Sequence, residues 1–355
     1  MISFNPWPRD YMHNKKQYDT IFQSTMCYTN ESVEYFEEDI AYAVGRKHAI
    51  AVGSATDALH FSLKAYGIGP GDEVLVSNFS WISSASCVQM VGADPVFCDI
   101  DLDTYCVSLN SLKRMKSDKT KAVIYTPLFG IATDTTELEE WCKSENLILI
   151  EDAAQAWGAK YGEKKAGSVG QISSFSFNTN KVVASPTGGG VILTDDDEVA
   201  KYCRKLMRHG NVGEFLGYNS RMYPLSTEIL KFRIKQEEEL VLIRQKMAEF
   251  YNYHLVDFRP VMANNSVFHN YHKYTLRLDD SEHRKFVMQM LRKADIESDI
   301  KYSKPLNENE MFLGFKSDST PNTKEVCNTI MTIPNHAWLT QAETQKAVDV
   351  ILASA

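Results

Sequence analysis

The sequence predicts an α/β fold with a mostly parallel sheet, and three observations carry that prediction. Short, uniformly apolar runs alternate with amphipathic stretches of helical length through the first two hundred residues, the pattern of a sheet covered on both faces. Glycine-bearing turns separate the runs, as at residues 53–56 and 67–72. Polar residues able to do chemistry stand just past the ends of the apolar runs, where ligands bind in open parallel sheets.

Taken in order, residues 1–30 are polar and aromatic with weak periodicity and read as an arm over the surface or a partner subunit. Residues 31–44 form an amphipathic helix, acidic in its first turns as the helix dipole favours, with Phe36, Ile40 and Val44 on one stripe. A strand over 49–52 precedes Gly53-Ser54-Ala55-Thr56 and a helix that stops at Gly67, a C-terminal cap. Strands follow over 73–76, 95–98, 122–125 and 147–150, with helices over 83–90 and 137–146. Further apolar runs lie over 173–177 and before Thr194. Beyond it, helices are expected over 195–208, 226–255, 282–294 and 341–353, and a strand over 271–278. The charged centre of the long segment, 235–239, reads as a solvated connector. The expected division is a large domain over 1–235 and a smaller C-terminal α+β domain over 236–355.

Composition narrows function. The 355 residues are 44% hydrophobic and 24% charged, ordinary for a globular protein. A net charge of −8 argues against non-specific nucleic-acid binding, which needs a basic face. Seven scattered cysteines without a CxxC pair favour a reducing compartment over a disulfide framework or zinc site. The dispersed histidines supply no metal cluster. With no secretory-type apolar segment and no run of membrane-spanning length, a cytoplasmic protein is expected.

The stretch from 147 to 194 holds the chemistry. Asp152 follows four apolar residues and a glutamate; by position alone it is as readily a helix N-cap. Lys181 alone reads as a surface lysine, and Trp81 alone as a core tryptophan. Together they suit pyridoxal phosphate (PLP), which needs a lysine for its aldehyde and a carboxylate to keep its pyridine nitrogen protonated. Ser54, Ala55 and Thr56 precede a helix and offer an anion cradle. Trp81 could stack on the ring, and Gln155, about one helical turn from Asp152, could reach its phenolic oxygen. Gly188-Gly189-Gly190 lacks the following Lys-Ser/Thr of a P-loop, and no G-x-G-x-x-G follows the first strand.

These residues carry a resemblance. The ordered segments 52–59, 67–74, 91–97, 151–156, Phe175-Ser176-Phe177 with Lys181, Arg208-His209-Gly210 and 217–222 resemble the DegT/DnrJ/EryC1/StrS group of PLP-dependent sugar aminotransferases, of fold type I. The match spans roughly 35–235 and loosens afterwards, through Tyr302 and Pro334-Asn335-His336. It implies a seven-stranded sheet and PLP joined to Lys181 as an internal aldimine. It further implies Asp152 at the pyridine nitrogen, Gln155 at the phenolic oxygen, Trp81 on the ring, and Thr56, Ser176 and the Ala55 backbone at the phosphate. Asn219 would reach that phosphate from a neighbouring subunit, making a homodimer with shared sites. The implied reaction moves an amino group from glutamate to a nucleotide-linked keto sugar. Alternatives are a 4-keto sugar or cyclitol acceptor and a non-catalytic regulatory protein. The length from Lys181 to Thr194 leans towards 3-keto substrates. Three departures bear on the substrate: Thr187-Gly188-Gly189-Gly190 lacks the acid common there, Pro127-Leu128-Phe129-Gly130 lacks a histidine, and Gln171 replaces an acid.

Overall fold

The computed structural model describes residues 1–261 and 266–354. Its centre is a seven-stranded sheet in the order β1-β9-β8-β5-β4-β2-β3. The strands are β1 (His48–Val52), β2 (Glu73–Ser77), β3 (Asp94–Cys98), β4 (Thr120–Tyr125), β5 (Ile148–Asp152), β8 (Ile172–Ser176) and β9 (Gly190–Thr194). All neighbours from β3 across to β8 pair in parallel, while β9 runs antiparallel to β8 and β1. The expected α/β fold is thus observed.

The apolar strands alternate between two layers. Val74, Val76, Ile124 and Ile150 pack on one side with α3 (Ala55–Ala65), α4 (Ser83–Met90) and α7 (Asp197–Leu206). Leu75, Val123 and Leu149 pack on the other with α5 (Leu109–Met115) and α6 (Thr136–Ser144). Residues such as Leu75 and Val76 are fully buried, each worth roughly 1.5–3 kcal/mol. A third cluster joins α2 (Glu31–Val44), through Phe36, Ile40 and Val44, to Ala49, Ala51, Val191 and Leu193. Strand β1 is an edge, and side chains satisfy its open backbone groups: Ala51 N–H donates to Glu37 (2.7 Å), and Arg204 donates to the Ala49 carbonyl (2.8 Å).

A short hairpin, β6 (Lys160–Tyr161) and β7 (Lys164–Lys165), is joined by β10 (Val267–Phe268). Later elements build a second layer. Antiparallel β11 (Tyr274–Arg277) and β12 (Ile330–Ile333) pack with α10 (Glu237–His254), α11 (Ser281–Lys293) and α13 (Gln341–Leu352) around Tyr251, Leu276, Leu291 and Val348. Helix α12 (Pro321–Thr329) returns to the large sheet through Val326 and Cys327.

One expectation is extended and one corrected. The first thirty residues, read as an arm of weak periodicity, carry a helix that this reading did not include: residues Trp7–Gln23 form α1, and Ile2 pairs with Ile296. The helix is held by a buried Asp10–Arg233 ion pair and by the Tyr18 hydroxyl donating to Asp10 at 2.5 Å. Polar anchors of this kind leave no apolar stripe for periodicity to find. The long helix over 226–255 is two helices, α9 (Pro224–Ile234) and α10, after the left-handed turn α8 (His209–Gly213). Its charged middle is largely solvated, with Lys235, Glu238 and Glu239 exposed, while Glu237 accepts from the Trp157 ring N–H. No helix among the described residues is long and apolar enough to cross a membrane.

Candidate active site

The parallel strands β1, β2, β4, β5 and β8 end at one edge of the sheet, and a cavity of about 250 Å³ opens there. Ser54, Ala55, Thr56, Trp81, Asp152, Gln155, Ser176 and Lys181 all line it. Asn219 does not; it is exposed on this chain and bridges to Arg208.

Strand alternation sorts the two acids ending β5. Glu151 faces away from the cavity, accepting the N–H groups of Gly167 and Val169, both at 2.9 Å. Burial pushes its carboxyl up to about 7. Asp152 faces the cavity and is 5% exposed. The Ser84 hydroxyl donates to it at 2.7 Å, the Ala154 N–H at 3.3 Å, and Ser80 pairs with Ser84 at 2.9 Å. Burial raises the Asp152 pKa, while those donors and the Lys181 ammonium hold it down. Lys181 is half-buried and makes no ion pair among the described residues. Burial lowers its ammonium to about 8, partly offset by Asp152. A fraction of neutral amine therefore exists near neutral pH.

The cradle arises from how α3 starts. Ser54 caps the helix by accepting the Asp57 N–H at 3.1 Å. The Ala55 and Thr56 N–H groups have no protein partner among the described residues, which is the arrangement that receives an anion. Thr56 also pairs with Ser83 at 2.9 Å. Gly190 makes this possible: a Cβ there would lie 2.4 Å from the Ser54 carbonyl carbon and 2.5 Å from the Ala55 nitrogen. The glycine is required so that β9 can lie against the start of α3, and none of the triplet lines the cavity.

Gln155 is not on a helix; residues 153–159 form successive turns, with Ala156 N–H to Ala153 O and Ala159 N–H to Ala156 O both 2.9 Å. Its amide is committed at both ends, accepting from Phe129 N–H (2.9 Å) and donating to the Tyr302 hydroxyl (3.1 Å). Trp81 is 56% exposed rather than core, tilted 46° to Tyr302 at 6.2 Å. Of the three sequence departures, only the second reaches the cavity, through Phe129. Gln171 instead accepts the Leu149 N–H at 2.8 Å.

Sequence reasoning missed Ser84 and the cavity residues His272, Lys273 and Lys301, and used Tyr302 only as a loose match. Ser84 carried a faint signal, a serine one turn beyond Ser80 after a strand end. The others lie about 120–150 residues beyond Asp152 with no local cue. The fit to a phosphorylated carbonyl cofactor is good on this structure's own terms. Buried polar atoms on the cavity wall, Thr126 Oγ1 and His272 Nδ1, lack partners, the α3 N–H groups are open, and an amine and a carboxylate face the same space.

The fold and this arrangement define a lysine-centred α/β enzyme, with an amine, a carboxylate and an anion cradle around one cavity. Residues 10–352 match the DegT/DnrJ/EryC1/StrS aminotransferase family, and the chain belongs to that family. It is 32% identical over 344 residues, 94% of this chain and 92% of the other, to a "pleiotropic regulatory protein" of Geobacillus stearothermophilus. It is 32% identical over 317 residues, 87% of each chain, to UDP-2-acetamido-2-deoxy-3-oxo-D-glucuronate aminotransferase of Pseudomonas aeruginosa. Among solved structures, a DegT DnrJ EryC1 StrS aminotransferase from Brucella abortus superposes with a TM-score of 0.94 at 27% identity, covering 99% of both chains.

Proposed function

We propose that this protein is a PLP-dependent aminotransferase that passes an amino group from an amino acid, glutamate in the reading favoured here, to the keto group of a nucleotide-linked sugar. One observation carries the reading: Lys181, Asp152 and the unpaired N–H groups of α3 open into the same cavity. The sugar assignment is supported by family membership and by the uronate aminotransferase relative. A 3-keto position fits the segment length after Lys181 and that relative's 3-oxo substrate.

Bound PLP supplies an electron sink for the charge that develops when the substrate carbon loses its proton. The chain's own residues do the rest. Ala55 and Thr56 N–H groups, with the hydroxyls of Ser54, Thr56 and Ser176, hold the phosphate. Asp152, kept in place by Ser84, holds a proton at the ring nitrogen. Gln155, braced by Phe129 and Tyr302, orients towards the phenolic oxygen, and Trp81 covers the ring. Lys181, with its lowered pKa, would hold the cofactor covalently and would move the proton at the substrate carbon. Asn219, exposed on its own chain, completes the phosphate site of a second copy, so the working unit is a homodimer. The chain beyond Lys235 acts as a smaller unit that supplies the Tyr302 side of the cavity.

The test is Lys181→Ala. It abolishes the visible band of the lysine-bound cofactor and the glutamate-dependent loss of that band; retained turnover refutes the assignment. A non-catalytic role, suggested by the description of the Geobacillus relative, instead predicts a wild-type protein whose cofactor spectrum does not respond to glutamate.

A further inference from the structure

The cavity carries more positive charge than cofactor chemistry uses. Lys273 and Lys301 stand on its wall together with Lys181. Lys301 is paired with Asp299. Lys273 has no ion pair among the described residues, and its nearest contact of note is the Phe4 ring, 4.8 Å from Nζ to centroid. Its backbone N–H donates to the Phe129 carbonyl at 3.4 Å, which places it on the Phe129–Tyr302 side. That side belongs to different elements from the α3 cradle. Beside it, His272 is buried, with Nδ1 lacking a partner. Behind them Arg244 is buried, and its side chain donates, among the described residues, to the carbonyl oxygens of Tyr271 (3.2 Å) and Asn335. Arg244, Lys301 and Lys181 repel the Lys273 ammonium, and Asp299 attracts it.

A half-buried ammonium with no carboxylate partner is an incomplete pair. We propose that Lys273, with His272 beside it, forms a subsite for a substrate carboxylate, and so sets specificity for the reaction proposed above. The inference rests on that reading for the identity of the substrates, though not for the existence of the anion site. A carboxylate fits better than a phosphate because one unpaired cation offsets one charge, and the α3 cradle already offers a phosphate site. Burial next to like charges lowers Lys273 to about 7, and an arriving anion restores the ammonium. The carboxylate has two sources: the amino donor bears one on its reacting carbon, and a uronate sugar bears one on its ring.

Two measurements on the full-length holoprotein separate them, using wild type, Lys273→Met and Lys273→Arg. In the first, L-glutamate is mixed with the enzyme and the loss of the visible cofactor band is followed. In the second, the affinities of UDP-glucuronate and UDP-glucose, which differ only at C6 (a carboxylate in one, a hydroxymethyl group in the other), are measured by calorimetry. The proposal expects Lys273→Met to weaken glutamate, or UDP-glucuronate selectively, by about tenfold, equivalent to about 1.4 kcal/mol. Lys273→Arg should restore most of the loss. Loss for glutamate identifies the donor as the source, and selective loss for UDP-glucuronate identifies the sugar. Equal weakening of both nucleotide sugars with glutamate unchanged assigns the cation to a diphosphate and overturns the proposal. No change in either arm overturns it as well. A wild-type spectrum unresponsive to glutamate counts against the aminotransferase reading instead, and the calorimetric arm still decides the subsite. Should Lys273→Met unfold, seen as a lost melting transition, Lys273→Gln takes its place.

Discussion

Removing the Ser84 hydroxyl isolates how the protein controls its central carboxylate. Asp152 is buried, and the sheet end gives it few donors: Ser84 at 2.7 Å, and the longer Ala154 contact at 3.3 Å. A short hydrogen bond to a buried charge contributes about 1.5–3 kcal/mol. Its loss takes about that much stabilisation from the ionised carboxylate and so raises the Asp152 pKa. Burial already raises that pKa, and Ser84 is the largest influence opposing it, so Ser84→Ala moves it further in the same direction. The ionised form is the one that holds a proton at the ring nitrogen. Activity in the variant should therefore fail sooner as pH falls, with the acidic limb of kcat/KM displaced upward. The assay is the pH profile of the glutamate half-reaction for wild type, Ser84→Ala and Ser84→Thr, the last retaining a hydroxyl. A loss in Ser84→Ala that is uniform across pH would mean that Ser84 merely packs. An unchanged profile and rate would refute the argument outright.

Other perturbations test other levels. Gly190→Ala puts a methyl into the backbone of Ser54 and Ala55; overpacking of this kind costs about 1–3 kcal/mol, and both the melting temperature and phosphate-dependent cofactor affinity should fall. Glu343 caps α13 through Thr340 and pairs with Arg9, bonds that hold its pKa down at about 2, against an ordinary 4.5. Because the folded pKa is the depressed one, this contribution is present above pH 4.5 and fades as pH falls towards 2. Glu343→Gln should thus melt below wild type at neutral pH, with the gap closing in acid; a constant gap would refute the linkage. Mixing and reassembling Lys181→Ala with Asn219→Ala subunits should recover roughly a quarter of wild-type activity, since random pairing leaves one intact site in half of the dimers. No recovery beyond the two parents would place Asn219 outside a shared site.

Legibility in the sequence followed the range of the interactions. The strands of the large sheet were visible because parallel strands buried on both faces are apolar throughout, as in Val74-Leu75-Val76 and Leu149-Ile150. Ser54, Thr56, Asp152 and Lys181 could be picked out because each lies at the end of a strand or within five residues beyond one, and the sheet alone gathers such positions at one edge. Gln155 lines the cavity, and turns rather than a helix carry it there. Helix α1 was hidden because Asp10, Arg233 and Tyr18 hold it by polar contacts that leave no apolar period.

The sequence by itself determined the sheet, the order of the strand ends and the residue types set out along them, because these follow from periodicity and short-range turn chemistry. Tertiary structure alone decided which groups share one cavity and how they are tuned. Ser84 reaches Asp152 across two elements, and Gly190 matters because β9 lies against α3. Lys273 and Lys301 join Lys181 only because the C-terminal layer folds back over the sheet edge. Burial and neighbouring charge act through space, without regard to distance along the chain, so the unpaired Lys273 ammonium had no signature in the sequence around it.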